Sequence, residues 1–140
     1  MTGVWVLIGT VVVAGAIAWL LQAREGRIRP SAAAPPSDGL PEPVRAALAA
    51  APSVTLLQVS TTFCAPCRHA RTVLRHLADG TDGLTHVELD VTDRPEIATS
   101  LGVLRTPTTV AFTSDGTELL RVGGVPRGDT LIEALRPHLR

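Results

Sequence analysis

The apolar run at residues 4–21 limits most strongly what this chain can fold into. It reads VWVLIGTVVVAGAIAWLL and contains no charged residue. As a helix rising about 1.5 Å per residue, it would span about 27 Å, close to the thickness of a bilayer core. Trp5 and Trp19 lie near its two ends, where tryptophan favours the headgroup region. The run therefore predicts one transmembrane helix, with a lipid-contacting anchor at residues 1–22.

Two other interpretations of the run are less favoured. A cleaved signal peptide normally has Lys or Arg before its apolar segment, whereas this chain begins Met-Thr-Gly. A buried core helix rarely runs so long without a charge.

On the far side of the run, Arg24, Arg27 and Arg29 outnumber the single acidic Glu25. The positive-inside rule then favours a single-pass protein of the cell membrane with a cytoplasmic, rather than extracytoplasmic, globular domain.

Composition divides the rest of the chain and argues against nucleic-acid binding. The 140 residues carry 13 basic and 13 acidic side chains, with no basic cluster that could neutralise phosphates. Every basic residue is Arg, so no lysine is present for Schiff-base chemistry. Five of the eleven prolines fall between positions 30 and 43, which predicts a Pro/Ala-rich linker at residues 23–43. Residues 44–140 are left to form one globular domain.

Hydrophobic patterning in the globular part alternates between strands and helices. This order predicts an α/β fold, with a mixed sheet flanked by helices on both faces. An Asp-Gly signal near 115–116 indicates a hairpin turn, and Asp129 is expected to cap the last helix. The predicted elements are a helix at 44–51, a buried central strand at 53–60, a helix at 66–77, a strand at 84–91, a helix at 94–103, a hairpin at 108–124 and a helix at 127–139.

Cys64 and Cys67 are the only cysteines and are separated by two residues. This spacing occurs both in half of a zinc site and in redox pairs. Zinc is disfavoured because it needs two more ligands, and the four histidines show no ligand-like spacing. A redox pair fits the position, since a helix N-terminus lowers the pKa of the first thiol. Cys64 is then the expected nucleophile and Cys67 the resolving thiol, while Arg68 either assists the thiolate or is simply solvated.

Three stretches together resemble the thioredoxin family. FCAPCR at 63–68 resembles its active-site motif, and LGVLRTPTTVAF at 101–112 resembles its cis-proline loop. RVGGVPRGDTLIEAL at 121–135 resembles its last strand and helix, with Gly123 at the glycine position. The resemblance extends from about Val44 to the C-terminus. It implies a thioredoxin-like fold and specifies the function much more closely than the cysteine spacing alone.

By this resemblance, the protein is a thiol-disulfide oxidoreductase that acts on disulfide-containing protein substrates. Cys64 would attack the substrate disulfide, and Cys67 would release the reduced product. A cis-Pro107 would present the backbone of Thr106 to the substrate chain. No cofactor or metal beyond the redox-active disulfide is expected, and electrons would come from a thioredoxin reductase or a membrane electron donor. The expected substrate-contacting residues are Phe63, Ala65, Pro66, Thr106, Pro107 and Gly123.

The sequence departs from the family pattern behind the cysteines. Gln58 stands where a buried aspartate is common, and Glu88 stands where a lysine is common. Gln58 cannot accept a proton from the resolving thiol, so Glu88 or water would substitute, or exchange would be slower. Phe63 replaces a tryptophan and loses its indole N–H. A thioredoxin-like binding or docking module with marginal redox turnover is therefore the alternative function.

Overall fold

The computed structural model describes residues 1–31, 39–50 and 53–139. It contains five α-helices and five strands within these ranges, followed by a short 3-10 helix at Arg136–His138. The predicted Ala51 and Pro52 helix boundary lies outside the described residues. The elements are α1 (Thr2–Arg24), β1 (Ile28–Pro30), α2 (Glu42–Ala49), β2 (Val54–Ser60), α3 (Ala65–Asp79), β3 (Leu84–Asp90), α4 (Pro95–Ser100), β4 (Thr108–Thr113), β5 (Glu118–Gly123) and α5 (Gly128–Leu135).

The strands form one mixed sheet in the order β1-β5-β4-β2-β3. β2 and β3 are parallel, and the other neighbouring pairs are antiparallel. All seven residues of β2 are buried, as predicted for a central strand. β4 and β5 form the predicted hairpin, and Gly116 in its turn has a φ of +87°, a conformation that favours glycine.

Two apolar clusters pack against opposite faces of the sheet. Successive β2 residues point to opposite faces, so Leu57 joins one cluster and Leu56 the other. α2 and α4 cover the first face through Val44 and Ile97, whereas α3 and α5 cover the second. Because helices flank both faces of a mixed sheet, the predicted α/β fold class is confirmed.

Apart from shifts of a few residues in the bounds of several elements, two features differ from the sequence prediction. β1 was not predicted and lies inside the segment assigned to the linker, where it pairs with β5. Its three residues are too few to give a recognisable period in the sequence. Asp129 was wrongly predicted to cap α5: the helix begins at Gly128, with Arg127 at the cap, and Asp129 lies in the first turn.

Helix α1 is exposed along its whole length. None of its 23 residues is buried, and its most apolar window has a mean hydropathy of 2.4. Its side chains are apolar all round, unlike a helix that packs one face against a core. By length and composition, α1 could therefore cross a membrane.

Candidate active site

The two cysteines lie where the central strand gives way to a helix. They form a disulfide with a Cα–Cα distance of 5.2 Å. Cys64 is the N-cap of α3, and the backbone N–H of Cys67 donates to its sulfur at 3.2 Å. Pro66 fits the first turn because the N–H that it lacks would have no helical partner there. The local sequence therefore places the Cys64 sulfur at the positive end of the helix dipole.

The two sulfurs differ in access to solvent. Cys64 is partly exposed, whereas only 2% of Cys67 is exposed. An incoming disulfide can therefore reach Cys64 more readily than Cys67. The helix N-terminus favours the thiolate of Cys64 over its thiol. This arrangement suits attack by Cys64 followed by resolution by Cys67.

The loop before β4 lies beside the cysteine motif. The Thr106–Pro107 peptide bond is cis, as the resemblance implied. The Thr106 hydroxyl lies 3.5 Å from that of Thr61, and Thr108 pairs with Val59 at the end of β2. These contacts bring the predicted Thr106 and Pro107 together with the cysteines at one edge of the sheet.

Gln58 and His86 lie beneath the cysteines. Gln58 is fully buried, and its side-chain amide N–H donates to the carbonyl oxygen of Cys67 at 2.9 Å. His86 Nε2 lies 3.1 Å from the Gln58 side-chain oxygen. That oxygen can only accept, so His86 donates from Nε2. Both ends of the Gln58 amide are thereby hydrogen-bonded.

The sequence analysis did not identify His86 as part of the site. Burial lowers the pKa of His86, and the charges of Arg75 and Arg71 act in the same direction, although Glu88 acts against them. The neutral imidazole is thus favoured near neutral pH. His86 and Glu88 are two residues apart in β3 and therefore lie on the same face, and Glu88 pairs in register with Gln58. The spacing of two residues in the sequence could have placed His86 on the same face as Glu88. Placing His86 beside Gln58 also required the parallel register of β2 and β3.

Glu88 is held by an arginine of α3. Arg71 donates to its carboxylate at 2.8 Å and forms an ion pair with it. Burial acts to raise the pKa of Glu88, but hydrogen bonds from Arg71 and Ser60, together with the charges of Arg71 and His86, outweigh it, and the net direction is downward. Glu88 is therefore a paired carboxylate, which makes it a poor proton acceptor at neutral pH.

The loops before α3 and β4 carry large apolar and cationic side chains. Phe63 is 96% exposed and Leu104 is 97% exposed, although such large apolar side chains are usually covered. Arg105 guanidinium nitrogens lie 2.7 and 2.9 Å from where a Cβ on Gly123 would be, so the glycine leaves room for that side chain. Leu104 and Arg105 were not singled out from the sequence. The predicted Ala65, Pro66 and Arg68 are all exposed on α3.

The Thioredoxin family profile matches residues 42–137, which include the disulfide and the cis-proline loop. The chain belongs to the thioredoxin family. Its thioredoxin domain is 33% identical over 87 residues to a thioredoxin of Staphylococcus saprophyticus, a match covering 61% of this chain and 83% of that one. A thioredoxin of Staphylococcus haemolyticus is 34% identical over the same length, with the same coverage.

Solved structures of thioredoxins resemble the same part of the chain. A mutant thioredoxin from Halobacterium salinarum superposes with a TM-score of 0.56 at 28% identity, covering 62% of this chain and 75% of that one. A thioredoxin from Nicotiana alata gives a TM-score of 0.59 at 21% identity, covering 75% and 90% respectively, which supports the fold. Together with the cysteine pair, family membership identifies the protein as a thiol-disulfide oxidoreductase. The thioredoxin family generally acts on disulfide-containing protein substrates.

Proposed function

We propose that this protein is a membrane-anchored dithiol reductant whose thioredoxin domain reduces protein disulfides in the cytoplasm. The observation that carries the proposal is the unequal access to the two sulfurs: Cys64 is partly exposed at the helix N-terminus, and Cys67 is buried behind it. This asymmetry supports Cys64 as the nucleophile and Cys67 as the resolving thiol. The disulfide itself is the proposed redox group, with no further cofactor.

Reduction takes place in two exchange steps. The Cys64 thiolate attacks one substrate sulfur, the substrate S–S bond breaks, and the other substrate sulfur leaves as a thiolate. Cys67 then loses its proton and attacks the Cys64 sulfur, which releases the second substrate thiolate. The substrate gains two electrons, and the cysteines return to the disulfide. A thioredoxin reductase or a membrane electron donor then supplies two electrons to restore the dithiol.

Water is the proposed acceptor for the Cys67 proton. Gln58 has no basic atom, and its amide is hydrogen-bonded at both ends. The Glu88 carboxylate is paired with Arg71. Transfer to water should be slower than transfer to a buried carboxylate poised beside the thiol. The second exchange step is therefore the one most affected by the residues that replace the usual family pattern.

The substrate chain is proposed to lie across the edge that carries the disulfide. The exposed Phe63, Ala65 and Pro66 would contact side chains of the substrate on one side. The backbone of Thr106, next to Pro107, would pair with an extended segment on the other side. Gly123 would bound the same surface, since it pairs with Thr108 at the start of β4.

Anchoring is supported by the hydropathy and exposure of α1. Arg24, Arg27 and Arg29 after it support a cytoplasmic domain by the positive-inside rule. In intact, reduced cells, a membrane-impermeant thiol reagent should leave Cys64 unlabelled until the membrane is opened. Labelling of Cys64 in intact cells would instead place the domain outside.

Trapping of mixed disulfides tests the redox function. Cys67→Ser should accumulate covalent complexes with protein substrates through Cys64, because the resolving step is blocked. Cys64→Ser, with the buried thiol retained, is the matched control and should accumulate few. The reduced native chain should also reduce a soluble disulfide such as insulin. If the trap variant captures nothing and insulin stays oxidised, the proposed function is wrong.

A further inference from the structure

The connection between α1 and the sheet is short and closely packed. Only residues 25–27 separate the end of α1 from β1. The backbone N–H of Gly26 donates to the carbonyl oxygen of Gly123 at 2.9 Å, and Ile28 pairs with Val122. Gly26 has a φ of +69°, and a Cβ there would lie 2.7 Å from the carbonyl oxygen of Val125. The helix is thus fixed to the sheet by the backbone, without an intervening tether.

This connection lies at the end of the sheet that carries the disulfide, where β2 and β5 end and β4 begins. We call this end of the sheet the disulfide edge. β1 is antiparallel to β5, so α1 arrives beside the C-terminal end of β5. There Gly123 pairs with Thr108, and the N–H of Gly124 donates to the carbonyl oxygen of Pro107 at 2.8 Å. The opposite edge, with the hairpin turn around Ser114, is a strand length away, or about 20 Å. The end of the apolar helix and the cis-proline loop therefore share one edge.

The disulfide is close to the point where α1 ends. From Gly26, the sheet continues through β5 and β4 to β2, whose C-terminal end leads into Cys64. Three steps between neighbouring strands amount to about 14 Å. No α1 residue is buried, and Arg24, Arg27 and Arg29 are exposed around the connection, where they suit anionic headgroups. A bilayer around α1 would therefore lie next to the disulfide edge.

We propose that this connection holds the disulfide edge toward the bilayer, so that the enzyme acts on disulfides of integral membrane proteins close to the membrane surface. The proposal rests on the membrane anchor proposed above. The exposed Phe63 and Leu104 belong to the loops that lead into α3 and β4 at this edge, and they suit the apolar residues that flank a membrane span. Soluble disulfides remain substrates, but they lack the advantage of being held close to Cys64.

Fluorescence quenching tests the orientation directly. In a Cys64→Ser/Cys67→Ser background, a single cysteine is introduced as Leu104→Cys at the disulfide edge or as Ser114→Cys at the opposite edge, and each is labelled with the same fluorophore. The full chain is reconstituted in phosphatidylcholine–phosphatidylglycerol vesicles containing headgroup spin-labelled lipid. The label at position 104 should be quenched several-fold more strongly than the label at position 114. Equal quenching, or stronger quenching at 114, would overturn the proposal.

Substrate preference provides a second test. One probe is a single-span peptide with a disulfide loop directly after its span, and the matched probe carries the same loop after a flexible spacer of about 30 residues. The native chain in vesicles should reduce the membrane-adjacent loop several-fold faster. Inserting a Gly-Ser segment between Arg24 and Glu25 should remove this preference without changing insulin reduction. Equal rates for both probes with the native chain, or a preference that survives the insertion, would contradict the inference.

These outcomes separate the inference from the proposed function. If the chain does not float with vesicles, the anchor itself is wrong. If insulin is not reduced and Cys67→Ser traps nothing, the reductase proposal is wrong. If the chain is anchored and reduces insulin but shows equal quenching at both edges, only the orientation proposal fails.

Discussion

At the scale of single residues, Gln58 is the most informative departure from the family. It is buried in the central strand and joins the carbonyl of Cys67 to the imidazole of His86. Unlike the aspartate that is common at this position, a glutamine cannot accept a proton, but its side-chain amide can both donate and accept hydrogen bonds. The amide therefore links the resolving cysteine to β3 by neutral hydrogen bonds.

Replacing Gln58 with an apolar residue should destabilise the domain. Gln58→Leu leaves the Cys67 carbonyl and the His86 N–H without that partner, and we expect a loss of about 2–4 kcal/mol in the free energy of unfolding. Denaturation in detergent micelles, followed by circular dichroism, measures this change. Thr55→Val is the matched control in the same strand, because the buried Thr55 hydroxyl has no hydrogen-bond partner among the described residues. Similar losses for both variants would argue against the Gln58 hydrogen bonds.

His86 should make stability depend on pH in the mildly acidic range. Burial lowers its folded pKa below the ordinary 6.5, so below that pH the unfolded chain binds the proton more readily than the folded chain. Stability is therefore lost as the pH falls from 6.5 toward the folded pKa. Between pH 7.5 and 5.5, we expect the native chain to lose more unfolding free energy than His86→Gln, measured by the same denaturation.

The exposed histidine His138 gives the control for this pH effect. His138→Gln should retain the native pH dependence. The pKa of Glu88 is also lowered, but its effect on stability occurs only below its ordinary pKa of 4.5, which is outside this pH range. Identical pH profiles for the native chain and His86→Gln would contradict the role assigned to burial.

At the scale of secondary structure, the shortest strand has the largest consequence. β1 contributes three residues, yet it determines which edge of the sheet receives α1. Its sequence, Ile-Arg-Pro, shows no strand pattern and lies in a Pro-rich region. β1 pairs because β5 has unpaired backbone groups on its outer side. The pairing is therefore stabilised by contacts with β5 rather than by the strand propensity of Ile-Arg-Pro.

Gly26 should control this pairing. Gly26→Ala places a Cβ 2.7 Å from the Val125 carbonyl oxygen at a φ of +69°, so the connection must shift. We expect faster hydrogen exchange at the Ser31 amide, which donates to Leu119, because β1 would open more often. Gly80→Ala is the control, since its nearest neighbour is at 3.4 Å and its φ is negative. Unchanged exchange at Ser31 in Gly26→Ala would show that the connection tolerates the methyl group.

At the scale of the whole molecule, the residues that form the buried core lie apart in the chain from the N-terminal elements α1 and β1. Both apolar clusters consist of residues from position 40 onward, with Ile28 only partly buried against one of them. The redox site is likewise built from β2, β3, β4, the end of β5, α3 and their loops. α1 therefore contributes no residue to either buried cluster, and β1 contributes only the partly buried Ile28.

A chain beginning at Gly39 should consequently fold and reduce insulin. It loses the β1 ladder and the burial of Ile28, which we expect to cost about 1–3 kcal/mol. Circular dichroism and an insulin reduction assay measure these properties. Adding Leu131→Ala to the shortened chain removes a fully buried α5 side chain and should cost a further 2–5 kcal/mol or so. If the shortened chain alone were unfolded, the N-terminal elements would belong to the folding core.

Sequence patterns alone were enough to predict the type of most elements, the helix able to span a membrane, and the position of the cysteines between strand and helix. These features depend on local periodicity and on the family motifs. Three features became known only from the folded chain: β1 joins the sheet, His86 contacts Gln58, and α1 ends at the disulfide edge. Each of these depends on strand order and register, which join residues far apart in the chain through contacts that no local pattern specifies.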